Sequence, residues 1–252
     1  MSLPYLSVII PTYNEARRLP ETLRAVHAYL QKNAARFEII VVDDGSGDGT
    51  PALAKQLAEQ LSSTRVLARD RNLGKGASVQ EGLRAAHGDY LVYMDADHST
   101  DISELDTLPS LIKRGMDVGV SSRYVAGSSV TVRQPWLRVL VSRIANFVIR
   151  IFAVRGIHDT QNGFKILRAE VAHAVLPHLL LRRWAFDVEL LYVARRMGYR
   201  LIEFPVTWHN VAGSKLNVGR DIRNTAGEFV RFIWNRITRR YPRGPRSGVL
   251  PV

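Results

Sequence analysis

The chain has 252 residues, 46% of them hydrophobic, enough to fill the core of one large α/β domain and to exclude wholesale disorder. It contains no cysteine, which excludes disulfide staples, thiolate metal sites and a cysteine nucleophile. Thirty-five Lys and Arg against 23 Asp and Glu give a net charge of +12, which draws anions: nucleic acid, acidic membrane or phosphorylated substrates.

Leu6 to Ile10 reads as a buried strand, close enough to Met1 that no signal peptide is expected. A helix follows from about Leu19 to Lys32. Phe37 to Val42 is a second strand, and Pro51 opens a helix at its favoured first-turn position. Thr64 to Ala68 is a third strand, Gly76 to Ala86 a helix and Tyr90 to Met94 a fourth strand. This alternation predicts a parallel, doubly wound sheet with ligands gathered beyond the carboxyl ends of the strands.

The pattern then loosens. A helix near Ile102 to Arg114 precedes a strand over Asp117 to Ser121. A long amphipathic helix spans Trp136 to Val154, an apolar helix Val188 to Met197 and a strand Arg200 to Val206. A basic helix from Asp221 to Arg239 and a loose Pro/Gly-rich tail close the chain. The expected organisation is one domain over 1–216, its first half ending near residue 100, with a basic C-terminal helix and tail over 217–252. No stretch is apolar enough to span a bilayer; the best candidate, Val139 to Val154, carries Arg143 and Arg150.

Asp95 and Asp97 follow the fourth strand. Side chains at i and i+2 share a strand face, so two hard carboxylates suit a divalent ion such as Mg²⁺ or Mn²⁺, which can in turn hold a diphosphate. Strand one runs into Pro11-Thr-Tyr-Asn-Glu15, strand two into Asp43-Asp-Gly-Ser, and Arg71-Asn-Leu-Gly-Lys-Gly76 lies between strands three and four. In this order the set resembles the nucleotide-sugar-binding half of the family 2 glycosyltransferases, which have the GT-A fold. The implied architecture is a Rossmann-like, mostly parallel sheet with helices on both faces and C-terminal amphipathic, interfacial helices.

The residues bear this out chemically. Asp43 and Asp44 can accept hydrogen bonds from a nucleobase imide and ribose hydroxyls, with an N-cap or Asx turn as the lesser alternative for Asp44. Tyr13 can stack on a base beside Pro11, and Glu15 either caps the following helix or touches the ligand. Lys75 can reach a diphosphate, whereas Arg69 and Arg71 read as solvated surface charges. The resemblance places Asp95 toward the sugar or ribose and Asp97 on the metal. It points to Ser99 as third ligand, with His98 and Asp101 as alternatives.

The second half carries Ser122-Arg-Tyr124, Arg138 and Ser142, Asp159-Thr-Gln-Asn-Gly-Phe-Lys165, Trp184-Ala-Phe-Asp-Val-Glu-Leu190 and Trp208-His209. Together these look like the polyprenyl-phosphate hexosyltransferases, closest to the dolichyl-phosphate β-glucosyltransferase branch. The implied reaction is inverting transfer of glucose from UDP-glucose to a polyprenyl phosphate. A mannosyl or N-acetylhexosaminyl transferase and a non-catalytic nucleotide-sugar sensor are the alternatives. Arg123, Arg138 and Ser142 are the expected acceptor-phosphate ligands, because guanidinium forks match phosphate oxygens. Gln161 contacts the sugar or shapes a turn, Asp187 contacts substrate or caps its helix, and His209 serves the metal and diphosphate or the framework.

The helix from Trp136 to Val154 and the late basic helix with Phe229, Phe232, Ile233 and Trp234 suit a bilayer interface rich in anionic lipid. Many members of this branch carry transmembrane helices. This chain is therefore expected to sit peripherally on the cytoplasmic membrane face, alone or with a membrane-protein partner. It shows no helix-turn-helix, zinc or aromatic-basic RNA pattern, so no nucleic-acid partner is expected.

Overall fold

A computed structural model describes residues 3–130, 154, 156–209 and 218–242, with side chains from 227 onward in the last stretch. Nine strands are described: β1 (Leu6–Thr12), β2 (Phe37–Asp43), β3 (Thr64–Ala68), β4 (Tyr90–Tyr93), β5 (Val118–Ser122), β6 (Ser129–Val130), β7 (Lys165–Arg168), β8 (Leu201–Pro205) and β9 (Thr207–Trp208). The helices are α1 (Leu19–Asn33), α2 (Thr50–Gln60), α3 (Lys75–Ala85), α4 (Leu108–Lys113), α5 (Ala169–Val175), α6 (Phe186–Arg196) and α7 (Val218–Ile237). Two 3₁₀ turns, Ile102–Thr107 and Leu176–His178, lead into α4 and follow α5.

Seven strands form one sheet in the order β3-β2-β1-β4-β7-β5-β8. The pairs β3–β2, β2–β1, β1–β4 and β5–β8 are parallel. β7 enters antiparallel to both neighbours, β4 and β5. The first four strands fall where the apolar runs predict them. β7 does not, because its four residues, Lys-Ile-Leu-Arg, follow directly on a polar motif and are too few for a two-residue period to show. β6 and β9 form a separate parallel pair.

The strands are apolar on both faces, as a sheet covered on both sides requires. Ile9, Ile40 and Val42 belong to one buried cluster with Val79, Leu83, Val188 and Leu191, which places α3 and α6 on that face. Val8, Ile10, Ile39 and Val41 join Leu23, Val26, Ala54 and Leu111 from α1, α2 and α4 on the other. Phe232 of α7 is fully buried in the first cluster, edge-on to Tyr192 at 5.2 Å. That helix ends in a Schellman motif: Arg240 N donates to Asn235 O (3.0 Å) and Arg239 N to Arg236 O (3.2 Å). Arg239 takes the left-handed position, at φ +57°, where glycine is usual.

Candidate functional site

The carboxyl ends of β1, β2 and β4 lie side by side, and their loops are lashed together. Asn14, at φ +56°, donates its N–H to Ser46 Oγ (2.8 Å), and its Oδ1 accepts from Gly47 N (2.9 Å). Glu15 N donates to Thr50 Oγ1 (2.9 Å), and the Glu15 carboxylate lies 3.5 Å from Arg18. The ring of Tyr13 stands 48% exposed on this rim, next to half-buried Pro11 and buried Thr12 at the end of β1. A large aromatic left in water beside a loop junction is suited to stacking on a flat ligand.

Asp43 is fully buried and accepts from Ser46 N (2.9 Å), Ser46 Oγ (2.6 Å) and Thr12 Oγ1 (3.3 Å). Asp44 accepts from Leu73 N (2.8 Å), Gly74 N (2.7 Å) and Arg69 Nη1 (3.0 Å). Asp44 therefore does not cap a helix; it pins the loop that carries Lys75. Arg69 is not the solvated charge that its sequence neighbourhood suggests. It is largely buried, with Nε on Glu81 (2.6 Å) and Nη2 on Ala77 O (2.8 Å). Arg71 is exposed, as expected.

Gly74 and Gly76 let this loop press against residues 182–186. A Cβ at Gly76 would stand 2.6 Å from Phe186 Cβ, and Gly74 holds φ +104°. Ala77 N donates to Arg182 O (2.8 Å). Lys75 is thereby aimed inward, its Nζ 2.5 Å from Asp95 Oδ1 and 5.6 Å from the ring centre of Trp184. Burial alone would depress the Lys75 ammonium, but Asp95, Asp187 and Asp97 together hold its pKa above the ordinary value. Burial raises the Asp95 pKa, with Lys75 opposing and Asp97 adding to the rise.

The strand stops at Tyr93, so Asp95 and Asp97 stand beyond the pleat and meet different partners. Asp95 fills the space over Gly163, where an added Cβ would come within 1.9 Å of Oδ2. Asp97 Oδ1 accepts from Ser99 N (3.0 Å) and borders a cavity of about 410 Å³ shared with His98, Asp101, His209 and Arg18. Ser99 is buried and works through its backbone, its carbonyl accepting from His209 N (2.8 Å). A bridge between Thr100 and Trp208 continues this zipper. His98 adopts φ +57°, with Nε2 3.4 Å from Asp101. Its Nδ1 is buried without a hydrogen-bond partner among the described residues.

The second half supplies cations held by carboxylates. Arg123 forks onto fully buried Asp159 through Nε (2.7 Å) and Nη2 (3.0 Å), and its backbone N–H adds a third bond (3.1 Å). Tyr124 and Trp208 both lie 5.4 Å from its guanidinium. Among the described residues Nη1 carries no hydrogen bond, so that edge can meet a phosphate. Lys165 is completely buried, donating to Asp187 Oδ1 (2.6 Å) and Asn162 O (2.7 Å), while Tyr93 Oη donates to the same Asp187 oxygen (2.5 Å). Burial lowers the Lys165 pKa against the pull of Asp187, and burial and Asp187 push the Tyr93 phenol well up.

Lys165 and Tyr93 are site residues that sequence reasoning missed. The signal was a lysine closing the Asp159–Lys165 motif and a tyrosine inside an otherwise aliphatic strand. Asp187 lies in the first turn of α6, within this network rather than capping the helix. Gln161 is half-buried in the loop between Asp159 and Gly163. Thr160 Oγ1 and Asn162 Nδ2 beside it are buried without partners among the described residues. Arg138, Ser142 and nearly all of the Trp136–Val154 segment lie outside the described residues.

Comparison with known proteins agrees with this geometry. Residues 7–176 match glycosyl transferase family 2. The chain is 33% identical to a dolichyl-phosphate beta-glucosyltransferase of Dictyostelium discoideum, over 90% of this chain and 73% of that protein. It is 34% identical to the human protein of the same name, over 84% of this chain and 69% of the other. Among solved structures, the mannosyltransferase PcManGT from Pyrobaculum calidifontis, in complex with GDP-Man and Mn²⁺, superposes with a TM-score of 0.62. It is 24% identical, over 96% of this chain and 66% of its own. Glucosyl-3-phosphoglycerate synthase from Mycobacterium tuberculosis, with Mn²⁺, UDP and glucosyl-3-phosphoglycerate, gives a TM-score of 0.64 at 20% identity, over 98% and 82% of the two chains. These two structures share the GT-A fold with this chain.

Proposed function

Because the chain belongs to glycosyl transferase family 2, we propose that it transfers glucose from UDP-glucose to a polyprenyl phosphate of the dolichyl type, inverting the anomeric centre. The observation that carries this reading is the 32–35% identity, over 84–92% of the chain, to proteins named dolichyl-phosphate beta-glucosyltransferase. Matches of that length take in both halves of the chain.

In this reading the lipid phosphate is the nucleophile. Its second pKa is near 6, so it arrives ionised and needs no side-chain base. One of its oxygens attacks the anomeric carbon from the face opposite UDP; the C–O bond to the β-phosphate breaks and UDP leaves. The task for the protein is to bring two anions together. The Nη1 edge of Arg123, with Arg138 and Ser142, takes the acceptor phosphate. Lys75 is poised to exchange Asp95 for the donor diphosphate. Tyr13 stacks on the base, Asp43 and Asp44 shape the nucleoside pocket, and the orphaned Thr160 and Asn162 atoms meet sugar hydroxyls beside Gln161. Asp187 neutralises Lys165 and orders Tyr93 beneath the sugar.

A divalent ion fits the donor set. Asp97 offers a hard carboxylate on an open cavity, and the unpartnered Nδ1 of His98 lies on the same loop. Among the described residues no three His, Asp or Glu side chains form a ready cage. An ion at Asp97 would therefore draw its remaining ligands from diphosphate and water, as Mg²⁺ and Mn²⁺ do. Bound there, it would stabilise the charge developing on departing UDP.

Among the described residues no helix is long and apolar enough to cross a membrane. A lipid acceptor then calls for peripheral contact with the cytoplasmic membrane face or for a membrane-protein partner. The test is transfer of radiolabel from a panel of nucleotide sugars to polyprenyl phosphate in detergent with Mn²⁺ or Mg²⁺. Label entering lipid from UDP-glucose alone, and lost with EDTA, is the expected result. Entry from a different donor would sink the glucose assignment, and no entry from any donor would sink the acceptor.

A further inference from the structure

The sequence pattern of the last helix suggests that Phe229, Phe232, Ile233 and Trp234 share an interfacial face. The structure divides them. Phe232 is fully buried, Phe229 and Ile233 pack against the same core, and the Arg236 guanidinium lies 5.8 Å from the Tyr192 ring centre. The face left in water is different: Val230, Trp234 and Ile237, at 69, 61 and 68% exposure, follow one another at i, i+4 and i+7. Arg231, Arg239 and Arg240 are exposed around them.

We propose that this outer face of α7 is the surface through which the enzyme seats itself on an anionic lipid bilayer. The inference rests on the lipid-borne acceptor and names where the contact is made. Charge decides the occupant. From Phe229 to Val252 there is no Asp or Glu, so nothing offsets the arginines along the sequence that follows. The last acidic residue, Glu228, is consumed inside the protein, accepting from Arg183 N (3.0 Å) and Ala185 N (3.1 Å). A second copy would set the same arginines against each other, like charge on like. A leaflet of anionic headgroups offers the complement, with an indole ring at the headgroup level where tryptophan is favoured.

The position suits the chemistry. Glu228 grips both sides of Trp184, which is 37% exposed and borders Lys75. Glu228 thus anchors the inner side of α7 next to the donor site and leaves the opposite side, with Val230, Trp234 and Ile237, turned outward for the bilayer.

Co-sedimentation with phosphatidylcholine vesicles, with and without phosphatidylserine, tests this on the full chain. The wild type should pellet with the anionic vesicles and be released by salt. Each of Arg231→Gln, Arg239→Gln and Arg240→Gln should weaken binding about fivefold. The triple variant Val230→Ser, Trp234→Ala, Ile237→Ser should lose binding by about tenfold or more, with melting temperature and transfer to a detergent-dispersed acceptor unchanged. Equal pelleting of wild type and triple variant would overturn the proposal, as would equal affinity for neutral vesicles. A wild-type dimer in sedimentation velocity that the triple variant abolishes would assign the face to a second copy instead. Loss of transfer in detergent for the wild type would count against the reaction and leave the vesicle result standing.

Discussion

The two halves of the site hold their charges by opposite means. At the ends of β1 and β2 the carboxylates of Asp43 and Asp44 are fixed largely by backbone N–H groups and hydroxyls, with one arginine joining. Around β7 and α6 two cations are held by buried counter-ions: Arg123 by Asp159 and Lys165 by Asp187. Amide-bound carboxylates shape loops; ion pairs cancel charge and place a cation at a chosen spot. The first suits a pocket read by hydrogen bonds, the second a passage for two anions that repel each other. Lys75 with Asp95 joins the two halves.

Breaking the comparison at its most sensitive point means removing charge from the cavity. Asp97→Ala should lower transfer about a thousandfold, the loss of several kcal/mol of charge stabilisation on leaving UDP, while the melting temperature holds. Retained turnover would show that Asp97 does not serve the ion. Next is Lys165→Met, which strands Asp187 in the interior. Urea unfolding should show a loss of about 3–5 kcal/mol, partly recovered when Asp187→Leu is added. No recovery in the double variant would mean that packing, not pairing, sets the cost.

Arg123→Lys sharpens the contrast further, because a lysine keeps the charge but not the fork on Asp159. The KM for lipid phosphate should rise about ten- to a hundredfold, the worth of one charged hydrogen bond, with the KM for UDP-glucose little changed. The smallest effect concerns a carboxylate of the first kind away from the site. Glu38 is half-screened, and burial pushes its pKa up, but Ser7, His87 N and Arg65 outweigh burial and hold it below 4.5. A depressed folded pKa adds stability above the unfolded value that is lost as pH falls through the folded one. Acid unfolding below about pH 4.5 should therefore flatten in Glu38→Gln, by no more than about 1 kcal/mol. An unchanged acid limb would show that Glu38 is not its source.

The donor half was nearly all legible in the sequence, since four aliphatic strands alternate with helices whose starts carry proline or glycine, and the motif residues sit directly past each strand. What escaped were the roles that depend on the third dimension. Arg69 reads as surface until β3 and α3 close over it. Lys165 reads as one more cation until Asp187, from a distant helix, meets it beneath Tyr93. The second half is harder because β7 runs against its neighbours and is short, so neither alternation nor length marks it. The outward face of α7 was misassigned for a related reason: Phe232 and Trp234 are two residues apart, and only packing tells which of them turns inward.

The antiparallel insertion of β7 also governs how the chain must assemble. β4 receives β1 on one side early, but its other edge waits for Lys165–Arg168, far along the chain. Until then Tyr90-Leu-Val-Tyr93 shows open backbone donors and acceptors on a strand rich in β-forming side chains. A nascent chain, or a fragment ending at Met116, thus carries a sticky border that the finished protein hides in mid-sheet. Such a fragment should elute as oligomers in size exclusion; a monomer would show that the open edge is harmless. Self-association is then a hazard of synthesis that ends when the last antiparallel strand docks.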